Sequence, residues 1–287
     1  MNVAAPRSAL LQWVYRGYML AFFLYLGAPL AAAGIFAFND SLFPALPWQG
    51  FTLDWFFNNT EPKLGMFHDR RLLRGLENSF LIGVIVSALS VAAGTSNAFL
   101  FERQRFPGKD VLYLVMIVPL VIPGVILGIS ILVFASMIAN EMEETLGYDW
   151  SLLRPGLVLV ILGQFSFLTT ITSLVIAARL RKFDVALEEA ALNLGATRLR
   201  VLLTITFPFL APALFSAFVL AFLVSFENFN TTLMLVGSEA PLTITMYDRM
   251  AKVGSTPVLN AVSFFLMVGS GLLVLISAIV QRERDRE

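Results

Sequence analysis

A single carboxylate stands out among the residues that could take part in chemistry. Glu227 directly follows a long apolar stretch, Val201–Phe226, that contains no Asp, Glu, Lys or Arg. Ionisable residues inside stretches of membrane length are rare and usually functional. Phe226, Asn228 and Phe229 flank this carboxylate, and aromatic ring faces attract cations. The group therefore predicts either a site that attracts a cation or an interfacial glutamate that faces water.

Two residue types that many enzymes use, cysteine and histidine, are scarce. The sequence has no cysteine, which excludes disulfides, cysteine zinc sites and thiol catalysis. Its one histidine, His68, has no second ligand at metal-binding spacing and is predicted to lie on the surface. A phosphate-binding GxxxxGKS or GxxxxGKT motif is missing as well. We therefore expect a non-catalytic protein that does not itself hydrolyse ATP.

A second group of candidate residues lies in a loop between apolar stretches, at Arg179–Phe207. Asp184 is suited to cap a helix N-terminus, and Glu188 and Glu189 follow near the helix start, where negative charge is favourable. Apolar side chains then recur with the i, i+3, i+4, i+7 spacing of one helix face, at Leu187, Ala190, Ala191 and Leu194. The pattern predicts a short amphipathic helix.

The end of this helix is also marked in the sequence. Gly195 fits a left-handed C-terminal cap, and Thr197, which follows Ala196, is suited to cap a second helix that runs toward Pro208. The segment Asp184–Thr197 is therefore predicted to form a helix, a sharp turn and a return to the apolar region. Its flat stripe can enter a groove of a partner protein or pack beneath the chain's own helices, and the residue pattern leaves both open.

The elements that position these residues are predicted to be membrane-spanning helices. The sequence is 57% hydrophobic and 14% charged, whereas soluble domains carry about 25% charged residues. A spanning helix needs roughly 20 mainly apolar residues. Six stretches of at least this length carry no charged residue: Gly17–Asn39, Asn78–Leu100, Val111–Asn140, Pro155–Ala178, Val201–Phe226 and Val253–Gln281. On a fifth helix counted from Pro208, Glu227 lies roughly 28 Å along the axis, near the outer boundary.

The third stretch carries unusual residues for a straight helix. They are Pro119, Pro123, Gly124 and Gly128. Proline and glycine are tolerated in membrane helices where neighbours satisfy the backbone, and small residues also permit close helix packing. We predict either a bend that lines a pathway or ordinary close packing.

The distribution of basic residues predicts the orientation. An even number of helices places both termini on the same side, and that side carries most of the 20 Lys and Arg residues. Cytoplasmic loops are enriched in Lys and Arg, so both termini are expected in the cytoplasm. We divide the chain into an N-terminal region with the first helix, 1–75, a core of five helices, 76–280, and a cytoplasmic tail, 281–287.

The loop between the fourth and fifth helices resembles a known motif. Glu189-Ala190-Ala191, then Gly195, then Ile205-Thr206-Phe207-Pro208 is similar to the "EAA" loop of bacterial ABC-importer permeases, with Phe207 in place of a leucine. The resemblance implies the type I ABC importer transmembrane fold, an all-α membrane protein with six transmembrane helices and a cytoplasmic coupling helix between helices 4 and 5. It also implies that Asp184–Thr197 docks in a cleft of an ATPase, with Glu189 as a polar contact and Gly195 as the turn.

The resemblance covers most of the chain and extends to one branch of the family. Trp48–Thr52 and Ala251–Ala261 are similar to segments of spermidine/putrescine (PotC-like) permeases. At the end of the fifth helix, Glu227 is one carboxylate where similar permeases often carry an acidic pair. The implied solute is a polyamine or a related cationic amine.

The resemblance further implies a set of partners. The chain would form half of a pathway with a second, homologous permease subunit in the bacterial inner membrane. Two separate ATP-binding subunits would hold ATP and Mg, and a periplasmic solute-binding protein would deliver the solute. No cofactor or nucleic acid is expected on this chain. An importer permease for a different small solute and a secondary transporter or channel stay open as alternatives.

Overall fold

The structure, a computed structural model, describes residues 9–148 and 150–284. The outermost parts of the predicted N-terminal region and of the predicted tail, 1–8 and 285–287, lie outside the described residues. The described residues form these helices: α1 (Ala9–Phe36), α2 (Asp54–Phe57), α3 (Arg70–Arg103), α4 (Lys109–Val121), α5 (Gly124–Leu146), α6 (Leu157–Leu180), α7 (Ala186–Asn193), α8 (Arg198–Val201), α9 (Phe207–Glu227), α10 (Asn230–Leu235), α11 (Leu242–Val253) and α12 (Pro257–Arg284).

Helices that could cross a bilayer dominate the fold. Within the described part of the chain, six are long and apolar enough by length and composition: Leu11–Phe36, Arg70–Arg103, Gly124–Leu146, Leu157–Leu180, Arg198–Glu227 and Pro257–Ile279. Apart from one bridge between Asn39 and Phe51, the described residues contain no β-structure. The predicted all-α fold with six membrane helices is confirmed.

The third apolar stretch, Val111–Asn140, forms two helices with a break between them. α4 ends at Val121 and α5 begins at Gly124. Pro123 has no backbone N–H to donate and disfavours a helical conformation of the residue before it. Ile122 accordingly has an extended backbone, with φ −72° and ψ 129°. The membrane span of this region is α5, and α4 is a shorter helix that leads into it.

The glycines that follow this break permit close packing. A Cβ added at Gly128 would lie 2.9 Å from the carbonyl oxygen of Thr231 and 3.0 Å from Cβ of Met234. A Cβ added at Gly124 would lie 3.0 Å from the hydroxyl of the same threonine. The structure therefore shows a break at the proline and close packing at the glycines, and a pathway lined by this break stays a prediction.

The chain divides into two compact units. Unit 1 comprises the residues up to Arg70 together with Arg249–Gly269, and unit 2 comprises Arg71–Asp248 together with the residues from Ser270 onward. Both groups of candidate residues lie in unit 2. The boundaries at residues 75 and 280 stay predictions.

Unit 1 is organised around a buried asparagine. The side chain of Asn39 donates through Nδ2 to the carbonyl of Ala45 at 3.1 Å and accepts through Oδ1 from the N–H of Gln49 at 2.9 Å. Its own carbonyl accepts from the indole N–H of Trp55 at 2.9 Å. Buried polar groups must find such partners, so this one residue fixes the loop that follows α1. His68, in the same unit, is exposed, as predicted.

The core of unit 2 has two apolar clusters. The first contains Ile82, Val86, Ala135, Leu159, Val160, Leu168, Ala221 and Leu235. The second contains Ala98, Ile176, Ala177, Leu180, Phe183, Leu210 and Ala217. Phe183 belongs to the loop that precedes α7, so the second cluster anchors this loop to α3, α6 and α9.

Candidate functional site

The coupling segment, Asp184–Thr197, contains a two-turn helix with a capped start. Oδ1 of Asp184 accepts a hydrogen bond from the backbone N–H of Ala186 at 3.0 Å, where α7 begins. Glu188 and Glu189 lie in the first turn, where the partial positive charge of the N-terminus favours carboxylates. The predicted start of the helix is confirmed.

The helix ends at a glycine with a left-handed backbone. Gly195 has φ +87°, and its N–H donates to the carbonyl of Leu192 at 2.9 Å. The N–H of Ala196 donates to the carbonyl of Ala191 at 3.1 Å. These two bonds form the Schellman motif. A Cβ added at Gly195 would meet nothing within 4 Å, so the backbone conformation alone requires glycine here.

Thr197 begins the return to the apolar bundle. Its hydroxyl accepts from the backbone N–H of Arg200 at 3.4 Å and caps α8, as predicted. The chain continues through a π-helical turn, Leu202–Thr206, into α9. Pro208 follows directly and cannot donate a backbone hydrogen bond. Such π turns interrupt α-helices mostly in single turns and are frequent at functional sites.

One face of α7 is apolar and exposed. Leu187 is 53% exposed and Leu194 is 89% exposed. Ala190 and Glu189 are also exposed, whereas Ala191 is half-buried. The predicted stripe therefore divides, because Ala191 lies toward the chain and the other three apolar residues face away from it.

The opposite face of α7 carries a shielded ion pair. Both carboxylate oxygens of Glu188 accept from the guanidinium of Arg103, at 3.1 and 3.3 Å. Oε1 of Glu188 also accepts from the hydroxyl of Thr206 at 2.6 Å. Glu188 thus lies toward the helices of its own chain, whereas its neighbour Glu189 is exposed. Adjacent helical residues are rotated by about 100° about the helix axis, so the two carboxylates lie in different surroundings.

Aromatic rings and a second ion pair surround this contact. The guanidinium of Arg103 lies 5.4 Å from the ring centre of Phe183, which packs edge-on against Phe209 at 5.1 Å. At the same end of α3, the hydrogen bond from Arg181 to Glu102 raises the pKa of the Arg181 guanidinium. These contacts tie the loop to the ends of α3 and α9.

The other candidate group, Phe226–Phe229, lies at the far end of α9. We call this group the mouth, because it is predicted to form the outer opening of a pathway. The helix ends at Glu227, where the backbone of Asn228 becomes extended with ψ 117°. Glu227 is exposed and has no hydrogen bond or ion pair within the described part of the chain. Phe226, Asn228 and Phe229 are half-buried. A helix of this length places the mouth about 30 Å from the coupling segment, so the structure does not bring the two groups together.

An aromatic partner of this mouth was not predicted. The ring of Phe229 packs edge-on against Tyr247 with 5.0 Å between ring centres, and Tyr247 is 48% exposed. Tyr247 lies on the amphipathic helix α11, which precedes the sixth apolar stretch and was not predicted. The mouth therefore contains an exposed carboxylate and two adjacent aromatic rings.

A buried polar network supports the break between α9 and α10. The hydroxyl of Ser225 donates to the side-chain carbonyl of Gln164, whose Nε2 donates to the hydroxyl of Thr232 at 2.9 Å. That hydroxyl donates to Oδ1 of Asn228 at 2.9 Å, and the same oxygen accepts from the Thr232 N–H at 3.2 Å. Non-helical backbone at membrane depth requires such internal partners.

Metal chemistry has no evident ligands in the described residues. No group of three His, Asp or Glu side chains there is arranged to hold a metal ion. The coupling segment has an exposed apolar face, and the mouth has an exposed carboxylate and aromatic rings.

Comparison with known proteins links this arrangement to transport. Residues 73–285 match the family model described as "Binding-protein-dependent transport system inner membrane component". The chain is 28% identical over 270 residues to the spermidine/putrescine transport system permease protein PotC of Escherichia coli (strain K12), which covers 94% of each protein. It is 32% identical over 207 residues to the molybdenum transport system permease protein ModB of the same strain, covering 70% of this chain and 89% of the relative.

Solved structures with a similar fold are also known. One is the crystal structure of a bacterial ABC transporter involved in the import of the acidic polysaccharide alginate. A chain of this transporter superimposes with a TM-score of 0.71 at 19% identity, covering 96% of this chain and 95% of that one. At this identity the likeness concerns the fold alone.

Proposed function

The chain belongs to the family of binding-protein-dependent transport system inner membrane components, and from this premise we propose that it forms half of the pathway by which an ATP-driven importer takes up a polyamine or a related cationic amine. The chain is an inner-membrane permease subunit of an ABC importer, in the PotC-like branch.

The observation that carries the proposal is the exposed apolar face of α7. Leu187 and Leu194 are 53% and 89% exposed on a helix whose two ends are fixed by caps. Leucines exposed on a rigid amphipathic helix are suited to a hydrophobic groove of a partner. The partner we propose is a separate ATP-binding subunit, and Glu189 lies beside the same face as its polar contact.

Transport follows from a two-state movement of the helices. ATP binds with Mg to two partner subunits and closes them, so that the coupling segments of this chain and of a second permease subunit move together. The bundle then opens outward toward the loaded binding protein, and hydrolysis resets the inward state. Each ligand shifts the equilibrium only by its difference in affinity for the two states. This chain supplies half of the pathway and a coupling segment that moves with the ATPase, and both of its termini lie in the cytoplasm.

The mouth supports a cationic solute. Glu227 supplies an exposed negative charge, and the rings of Phe229 and Tyr247 lie against one another nearby on the chain. Aromatic faces and a carboxylate together attract an ammonium group. The 28% identity to a spermidine/putrescine permease over 94% of the chain supports the same solute class.

A different small solute is the second candidate. The molybdenum permease is 32% identical over 70% of this chain. A shared permease scaffold can therefore be combined with solutes of another class, and the solute-binding protein would then select the solute. The two candidates differ in whether the mouth contributes to recognition.

The importer proposal is tested by purifying the chain with its native partners in mild detergent. We expect an ATPase to co-purify, and we expect its activity to rise with a loaded solute-binding protein and with spermidine or putrescine. Stimulation by molybdate instead would favour the second candidate. A chain that purifies without any ATPase would contradict the proposal and favour a secondary transporter or channel.

Removal of the charge at the mouth tests the proposed solute class. We expect Glu227→Gln to lower uptake of a cationic solute by about fivefold, because one charge contact at an exposed site contributes on the order of 1 kcal/mol. The defect should shrink at high salt, which screens exposed charges. The measurement is uptake into proteoliposomes at low and high ionic strength.

The matched control is Glu144→Gln, which removes another exposed carboxylate at the far end of α5. We expect this variant to transport normally and both variants to retain the ATPase. Equal uptake by Glu227→Gln and the unmodified complex would exclude a role of this carboxylate in attracting the solute.

A further inference from the structure

We propose that Arg103, Glu188 and Thr206 form a clamp that makes the coupling segment move together with α3 and α9. Glu188 is then a positioning residue of ATP-driven transport and not a contact to the ATPase. The inference rests on the proposed docking role of the coupling segment. The two adjacent carboxylates then have different functions. Glu189 contacts the ATPase, and Glu188 transmits the movement of the coupling segment to α3 and α9.

The geometry of the clamp differs from that of an ordinary surface ion pair. Glu188 accepts two hydrogen bonds from the guanidinium of Arg103 and one from the hydroxyl of Thr206. The two charged side chains are only 21% and 18% exposed, and Thr206 is fully buried. Two-pronged, shielded pairs are stronger and more directional than exposed ones. The carboxylate is therefore held in one place.

The two charges also lie where the helices favour them. Arg103 is in the last turn of α3, and Glu188 is in the first turn of α7. A cation is stabilised at a helix C-terminus and an anion at an N-terminus. The pair thus joins the end of one helix to the start of another.

The clamp connects segments that are far apart in the sequence. Arg103 and Glu188 are 85 residues apart, and Thr206 and Glu188 are 18 apart. Arg103 also lies over the ring of Phe183, immediately before the coupling segment. One guanidinium therefore contacts the chain on both sides of Asp184, and a displacement of α7 must pull on α3.

The third member of the clamp depends on the π turn. In this turn the N–H of Phe207 bonds to the carbonyl of Leu202, five residues back, which adds one residue to the helix. An added residue rotates the following side chains by about 100° relative to the preceding ones. The turn therefore sets the direction of Thr206 relative to Arg198 and the cap before it. This gives the irregular turn a function, the attachment of α9 to the coupling segment.

Apart from the clamp, α7 is held within the described part of the chain only near its ends, by its caps and by Phe183 in the loop before it. It is an eight-residue helix, and helices of this length are not stable on their own. Its apolar face is turned away from the chain. Without the clamp, movement of the docked helix would be absorbed by the loops at either end and would not reach the membrane helices.

The test compares Glu188→Ala with Glu189→Ala in the complete complex. For Glu188→Ala and Arg103→Met we expect the ATPase to co-purify at the normal level, but transport per ATP hydrolysed to fall at least tenfold. For Glu189→Ala we expect weaker co-purification and a normal ratio of transport to hydrolysis in the complexes that remain. The charge-exchanged double variant, Arg103→Glu with Glu188→Arg, should recover a substantial part of the ratio.

Amide hydrogen exchange, measured on the permease without the ATPase, tests the clamp independently of ATPase binding. In Glu188→Ala and in the milder Thr206→Val, amide hydrogen exchange over 186–193 should accelerate at least tenfold, with α5 and α6 unchanged. A normal transport ratio, or unchanged exchange in 186–193, would overturn the clamp. Loss of ATPase co-purification in Glu188→Ala with unchanged exchange would make Glu188 a docking contact. An unmodified complex that lacks an ATPase would overturn the proposed function itself.

Discussion

Replacement of Gly195 by proline is expected to abolish most transport, with at least a tenfold loss. Proline fixes φ near −65°, whereas Gly195 has φ +87°, and proline cannot donate the hydrogen bond that Gly195 gives to Leu192. The strain and the lost bond together cost about 2–3 kcal/mol. This is enough to reduce the fraction of molecules in which α7 ends in the Schellman motif more than tenfold. The measurement is solute uptake together with solute-stimulated ATPase activity.

The matched control at this position is Gly195→Asn. Asparagine tolerates the left-handed backbone better than other non-glycine residues, and its side chain has open space, because an added Cβ meets nothing within 4 Å. We expect transport of this variant to stay within about threefold of normal, since a compatible residue at a cap costs well under 1 kcal/mol. Normal uptake by Gly195→Pro would contradict the proposed coupling role. An equal loss in both variants would point to a need for glycine other than its backbone conformation.

The caps of the coupling segment were predictable because their chemistry is local. Asp184, Gly195 and Thr197 each act on backbone groups within four residues, and those spacings are visible in the sequence. The membrane helices were predictable for a similar reason, because a run of apolar residues is itself the signal. The sequence left open whether the third stretch bends at its prolines, and the structure shows a break at Pro123 where many membrane helices tolerate a proline.

The surroundings of the candidate residues were not predictable, because they depend on distant parts of the chain. Glu188 and Glu189 look equivalent in the sequence, yet Arg103 lies close to only one of them. Gln164 bonds to side chains 61 and 68 residues away. Tyr247 meets Phe229 only because the chain turns back after α10. Arg103, a basic residue just after the second apolar stretch, was the one signal in the sequence for the clamp.

The exposed face of α7 carries the second large expected effect. We expect the double variant Leu187→Asp with Leu194→Lys to lose the ATPase on purification. Burial of a leucine side chain contributes about 2 kcal/mol, so the two substitutions together should weaken binding more than 30-fold. The exchange does not weaken the helix itself, because Asp is favourable in its first turn and Lys near its end. Loss of the partner would therefore be due to the docking face and not to unfolding of α7.

A control at an equally exposed leucine decides whether this effect is local. Leu146 is 69% exposed at the end of α5, and Leu146→Lys should leave co-purification unchanged. Helical content and the melting temperature of both variants should match the unmodified permease, because substitutions at exposed sites usually change stability by less than about 0.5 kcal/mol. If the ATPase still binds the double variant normally, then the apolar face of α7 is not the docking surface, and the stripe must meet the membrane surface or the second permease subunit instead.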